Sequence, residues 1–138
     1  MLTLLILPDE FTLYQFDRLH QIPTEWLNNL PWYTVSKTTS ELSVLCPSAS
    51  EPLPGAKKKK DGWRCLQVDA QMDFSLVGIL ASIVDPLRDN KIPVFVISTY
   101  DTDYILIEQD QLEHAIGVLN RQKNMSLKPG QSIFPDTI

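Results

Sequence analysis

Two apolar runs flanking a short polar stretch dominate the pattern of this chain. Val94–Ile97 and Tyr104–Ile107 are continuous apolar segments rich in β-branched and aromatic residues, and Ser98, Thr99, Tyr100, Asp101, Thr102 and Asp103 lie between them. Runs of this length and composition predict two strands within Ile92–Glu108, joined by a hairpin. The hairpin end, with its hydroxyls and carboxylates, is a candidate recognition surface.

The flanking segments predict elements that support this pair. Ser75–Arg88 places Leu76, Ile79, Leu80, Ile83, Val84 and Leu87 at helical spacing, a broad apolar face. Ser75 is the expected cap, with Asp73 as competitor. Pro86, which has no amide to donate, is expected to kink the helix or begin a separate last turn. Trp63–Asp69 precedes this helix as a strand. Gln109–Leu119 follows the hairpin as a second amphipathic helix, on which His114 is expected at the surface, and Met125–Leu127 is a further short strand.

A shorter version of the same order precedes residue 60. Leu2–Leu7 and Phe11–Phe16 predict two short strands separated by a turn at Pro8, Asp9 and Glu10. Pro23–Leu30 predicts a short helix with Pro23 near its first turn, ended by Pro31. Trp32–Ser36 and Glu41–Cys46 predict another strand pair. Pro47–Gly62, rich in Pro, Ser, Gly and Lys, has no periodicity and marks the expected boundary. Residues 1–60 thus form an expected shortened unit with a Lys-rich linker at its end, and residues 61–138 a second unit. Strand–helix–strand–strand–helix–strand order implies an α+β fold, a ferredoxin-like βαββαβ unit with helices on one face of an antiparallel sheet. One such unit has a thin core, so pairing of two units adds burial.

Composition narrows the function. The chain has 138 residues, 43% hydrophobic and 21% charged, as in globular proteins rather than disordered ones. A formal net charge of −5 gives no global cationic field for a phosphate backbone, and nucleic-acid binding is not expected. The basic cluster Lys57–Lys60 is expected to be a solvated linker. Cys46 and Cys65 have neither disulfide-scaffold nor metal-knuckle spacing. Leu2–Leu7 lacks a basic leader, and no stretch approaches the ~20 apolar residues of a membrane helix. No membrane association and a cytoplasmic location are therefore expected.

Phe74–Gly78 (FSLVG), followed by the Ile92–Glu108 segment, resembles the ACT-type amino-acid-binding domains of aspartate kinase regulatory regions. Still more closely, these residues resemble the small tandem-ACT proteins related to the CASTOR arginine sensors. Pro31–Val35 (PWYTV) and Thr39–Cys46 (TSELSVLC) fit the same tandem pattern in the first half. The resemblance implies ACT units in tandem, a free amino acid held where a strand-to-helix loop of one unit faces a hairpin of another, and no catalysis. A homodimer is expected, and because this chain shows no kinase domain, whatever it regulates is another protein, or nothing. The missing second helix of the first half departs from the family pattern.

The ligand residues so implied are Asp73, Phe74, Ser75, Leu76, Val77 and Gly78 at the helix start, with Val96, Ile97, Ser98, Thr99, Thr102 and Asp103 at the hairpin. Physical chemistry supports the assignment. Free amides at a helix start favour a carboxylate, and Gly78 permits close backbone approach. Asp101 and Asp103 suit an ammonium or a cationic side chain, which leans toward a cationic amino acid. Against this stand helix capping by Ser75, packing at Gly78 and ordinary turn chemistry at the aspartates. His20 and His114 show no metal spacing, and no phosphate loop or nucleophile motif is present, so neither a catalytic site, a metal nor a cofactor is expected. The rival reading is a protein-interaction module with a vestigial ligand site. A small enzyme on the same fold lacks a nameable acid, base or nucleophile.

Overall fold

The computed structural model describes residues 2–69 and 78–134. Two compact units interleave along the chain. As far as their residues are described, one is drawn from Met1–Pro8 and Arg64–Gln131, the larger, and the other from Asp9–Trp63 and Ser132–Ile138.

The larger unit contains α2 (Ile79–Asp89), β5 (Val94–Ser98), β6 (Asp103–Glu108), a 3₁₀ turn at Gln109–Gln111, α3 (Leu112–Asn120) and β7 (Met125–Pro129). It also holds the later part of β4 (Lys58–Val68) and the beginning of β1 (Leu2–Phe16). From β4 onward the order is βαββαβ, the ferredoxin-like arrangement expected. The expected hairpin is present, with Val94 opposite Ile107, Val96 opposite Ile105 and Ser98 opposite Asp103. Strand order adds a feature that periodicity alone does not carry. In a plain βαββαβ unit the last strand returns beside the first, whereas here β7 pairs in parallel with β1, Leu2 opposite Met125 and Leu4 opposite Leu127, and β1 stands next to β4.

Apolar periodicity accounts for the packing of this unit. Ile83 and Leu87 of α2 and Ala115, Val118 and Leu119 of α3 are buried with Leu4, Leu66, Ile105 and Ile107. Each fully buried Leu or Ile contributes roughly 1.5–3 kcal/mol. Helix α2 begins at Ile79 with Gly78 at its N-cap, and the caps expected at Ser75 or Asp73 lie outside the described residues. Pro86 sits inside α2 without starting a separate last turn, and the helix continues to Asp89. Asn90 closes it by donating from Nδ2 to the Pro86 carbonyl at 2.8 Å.

In the smaller unit the sheet order is β2-β3-β1-β4, with β2 (Thr34–Lys37) at one edge and β3 (Leu42–Pro47) inside. Phe11–Phe16 of β1 pairs antiparallel with Pro47–Leu42 of β3. The short α1 (Thr24–Asn28) has no buried residue of its own. Its Trp26 nevertheless packs, with Ile22, Leu30 and Ala56, on a core of Tyr14, Phe16, Leu42, Val44, Cys46 and Leu53.

Two expectations are corrected. Leu2–Leu7 and Phe11–Phe16 are not separate strands, because β1 runs unbroken from Leu2 to Phe16. Pro8 is tolerated because Pro8–Glu10 falls between the register with β7, which ends at Ile6, and that with β3, which begins at Phe11. The lysine cluster is not a linker either, since Lys58–Lys60 open β4. Lys57 donates its amide to the Gln15 carbonyl at 2.8 Å, and the Lys59 ammonium lies 5.9 Å from the Tyr14 ring centroid. Backbone pairing decides this stretch, and the Lys59 ammonium also lies 3.8 Å from Asp61 Oδ1.

Burial by α1 and the sheet pushes the Cys46 thiol up to about 11, with the nearby Lys59 acting weakly the other way. Above the ordinary thiol range the unfolded chain loses this proton while the folded one keeps it, so stability falls as pH rises from about 9 to about 11. Urea midpoints measured across that window should decline less steeply in Cys46→Ala than in the parent chain. In the larger unit, Ile83→Ala should cost about 2–5 kcal/mol by the same measurement. Leu19→Ala, at a site 68% exposed, should change stability by no more than about 0.5 kcal/mol.

Candidate functional site

The hairpin end of the larger unit is built by local hydrogen bonds. The Thr99 amide donates to the Thr102 carbonyl at 2.9 Å, and the Thr102 amide donates to Thr99 Oγ1 at 3.3 Å. Threonine hydroxyls favour such closed turns because they satisfy backbone groups within the same few residues. Thr102, only 5% exposed, turns its own hydroxyl inward and donates to the Val68 carbonyl at 2.7 Å. That bond ties the hairpin end to the end of β4, from which the chain leaves toward α2.

Asp103 opens β6 and is 2% exposed. Across the ladder Ser98 donates its hydroxyl to Asp103 Oδ1 at 2.6 Å, a short bond of the kind charge assistance produces. Ser98 and Thr99 are themselves exposed, as is Asp101. Val96 packs on the core beneath the helices, and Ile97 lies opposite Tyr104. Ser98, Thr99, Thr102 and Asp103 are therefore brought together at one end of the sheet. Val96 and Ile97 lead into that end along β5.

Gly78 stands at the N-cap of α2 with φ of 86°, a left-handed conformation that costs a side-chain-bearing residue about 1–2 kcal/mol. No described atom would come within 4 Å of a Cβ placed there, so glycine is required by backbone angle rather than by crowding. Asp73, Phe74, Ser75, Leu76 and Val77 lie outside the described residues.

Sequence reasoning missed a groove of about 880 Å³ that starts at Gly78 and Ile79 and runs beside Ser82, Asp85 and Asn90 toward Asn124. Its polar lining comes from the outward face of α2 and from the turn before β7. Spacing gives no signal for it, because the two segments are about forty residues apart. Among the described residues, no group of three or more His, Cys, Asp or Glu side chains is placed to hold a metal ion. Among the described residues, no helix is long and apolar enough to cross a membrane.

Comparison with known proteins places this geometry. A family model described as ACT domain matches residues 58–121, the stretch from β4 through α3. A curated relative, the cytosolic arginine sensor for mTORC1 subunit 1 of Rattus norvegicus, is 31% identical over 116 residues, 75% of this chain. This chain spans 35% of that relative's length. A solved structure from Agobacterium tumefaciens is similar with a TM-score of 0.81 and 27% identity, covering 94% of this chain and 93% of that one. The alpha and beta subunits of an aspartokinase share the fold, with a TM-score of 0.60 at 15% identity, covering 86% of this chain and 95% of that one.

The buried hydroxyl of Thr102 yields a direct test of the hairpin's attachment. Thr102→Val leaves the Val68 carbonyl without its donor and should cost about 1–3 kcal/mol in urea unfolding, whereas Thr102→Ser should retain most of the stability. The dependence on urea should keep its slope if only this bond is lost.

Proposed function

We propose, from the match of residues 58–121 to the ACT-domain family model, that this protein is a non-catalytic regulatory protein that binds a free amino acid. The observation that carries the reading is the open, left-handed Gly78 at the start of α2, in the same unit as the Ser98, Thr99, Thr102 and Asp103 hairpin end. A carboxylate at the N-terminus of α2 meets free amides and the positive end of the helix dipole. An α-ammonium suits the Asp103 carboxylate and the adjoining hydroxyls. Residues 73–77 complete the site in this proposal, as do the backbone groups of Val96 and Ile97.

The wider arrangement belongs to the same proposal. A shortened first ACT-like unit over residues 1–60 pairs with a second over 61–138, the ligand sits at an interface between ACT units, and the protein works as a cytoplasmic homodimer. Ligand binding acts on another protein by favouring one arrangement of that interface through differential affinity. The rat relative supports an amino acid as ligand by its printed description as an arginine sensor, and the aspartates of the hairpin lean toward a cationic one.

A second reading has its own support. Asp103 is already paired with Ser98, and Thr102 with Val68, inside the unit. Side chains so engaged fit a protein-interaction module whose ligand site is vestigial.

Thermal unfolding in the presence of each of the twenty amino acids separates the two. Binding to the native state alone stabilises by about 2.7 kcal/mol at one hundred times the dissociation constant, a rise of about 5–10 °C for a chain of this size. Asp103→Asn, which removes the charge and keeps an acceptor for Ser98, should abolish the shift, as should Gly78→Leu. No shift for any amino acid at millimolar concentration, in a folded protein, would overturn amino-acid binding and leave the interaction module.

A further inference from the structure

Beyond β7 the chain lays a short strap on the smaller unit. Its start is fixed, since the Gly130 amide donates to the Ile6 carbonyl at 2.9 Å. Ser132–Phe134 belong to no strand or helix, and one side chain secures them. Asp9 Oδ1 accepts the Ser132 hydroxyl at 2.7 Å, and Asp9 Oδ2 accepts the Ile133 amide at 2.9 Å. Ser132 Oγ in turn accepts the Phe134 amide at 3.1 Å, which closes a tight turn.

That turn carries Phe134 to a groove of about 720 Å³, whose other apolar walls are Trp26, Leu30 and Pro31. A volume in the range that takes a whole small molecule leaves room on either side of one ring. The far wall is preformed. Trp26 and Leu30 rest on the core of this unit, and the indole Nε1 donates to the Glu51 carbonyl at 2.8 Å.

The strap is attached more weakly than the wall it meets. Its bonds run through side chains, those of the Ser132 hydroxyl are exposed, and Ile133 and Phe134 are only half-buried. Segments held in this way open at the low end of a protein's stability range, without global unfolding. What holds the strap is also local in sequence: a hydroxyl, the amide directly after it, and an aromatic ring one residue further on. Another peptide with that order offers the same donors and the same ring.

We propose that Asp9 and the Trp26 groove form a peptide-docking seat, which the chain's own Ser132–Phe134 keeps closed. The partner it fits is an extended protein segment with serine or threonine two residues before an aromatic residue. The Asp9 carboxylate takes the hydroxyl and the amide, and the groove takes the ring. Strap and partner compete for one seat, so partner binding requires the strap to open, against the high effective concentration of a tethered segment. The seat shares no residue with the hairpin site and does not depend on amino-acid binding there.

Two measurements on the full ¹⁵N-labelled chain test this. In amide hydrogen exchange, Ile133 and Phe134 should exchange faster than the amides of the β1–β3 ladder. Asp9→Ala should speed Ile133 roughly tenfold or more while the ladder amides keep their protection. The second measurement is titration with the end-blocked peptide Gln-Ser-Ile-Phe, followed at the Trp26 indole N–H resonance. In the Ser132→Ala, Phe134→Ala double variant, whose own strap competes poorly, the resonance should shift saturably, with an affinity at least about tenfold above that in the parent chain. The same peptide with alanine in place of phenylalanine should give no saturable shift. Ile133 exchanging as slowly as the ladder amides would overturn the releasable strap. Absence of a saturable shift in the double variant up to about 10 mM peptide, or equal affinity in parent and variant, would overturn the docking seat.

Discussion

Backbone pairing along the fifteen residues of Leu2–Phe16 is the constraint on which both units depend. The beginning of this strand stands beside β4 and pairs with β7, and its later part pairs with β3. It also delivers core side chains, Leu4 to the larger unit and Tyr14 and Phe16 to the smaller. A strand interior must satisfy its amides and carbonyls wherever it is buried. One continuous segment does so here within a single seven-stranded sheet, and neither unit is a contiguous stretch of chain.

That sharing explains how a short chain could support the proposed site. Small units bury a limited fraction of their surface and have little stability to spare. In the larger unit, borrowing a strand widens the sheet beneath α2 and α3. The hairpin of β5 and β6 can then place its polar end at the margin, tied to β4 through Thr102 and Val68. In such a site the supporting hydrogen bonds are internal to the sheet, while Ser98, Thr99 and Gly78 face outward or stand in open space. Precision comes from the strands, and access comes from the turn and the helix start.

In the larger unit, the proposed amino-acid site draws on the start of α2 for the carboxylate and on Asp103 for the ammonium.

How much of this was legible in the sequence follows from the range of each interaction. The apolar runs Val94–Ile97 and Tyr104–Ile107 and the spacing of Ile83 and Leu87 determined the βαββαβ order, because periodicity and turn chemistry act over a few residues, and the resemblance carried by the hairpin segment agreed with the ACT-domain match. Ser98, Thr99, Thr102 and Asp103 were legible as one group for the same reason. Only the tertiary structure decided that Pro8 interrupts nothing, that Lys58–Lys60 form a strand, and that β1 separates β4 from β7. It alone brought Phe134 to Trp26 and the Thr102 hydroxyl to the Val68 carbonyl. These outcomes depend on partners distant in sequence, whose backbone groups compete with local preference and prevail through burial, and no local pattern encodes which partner that will be.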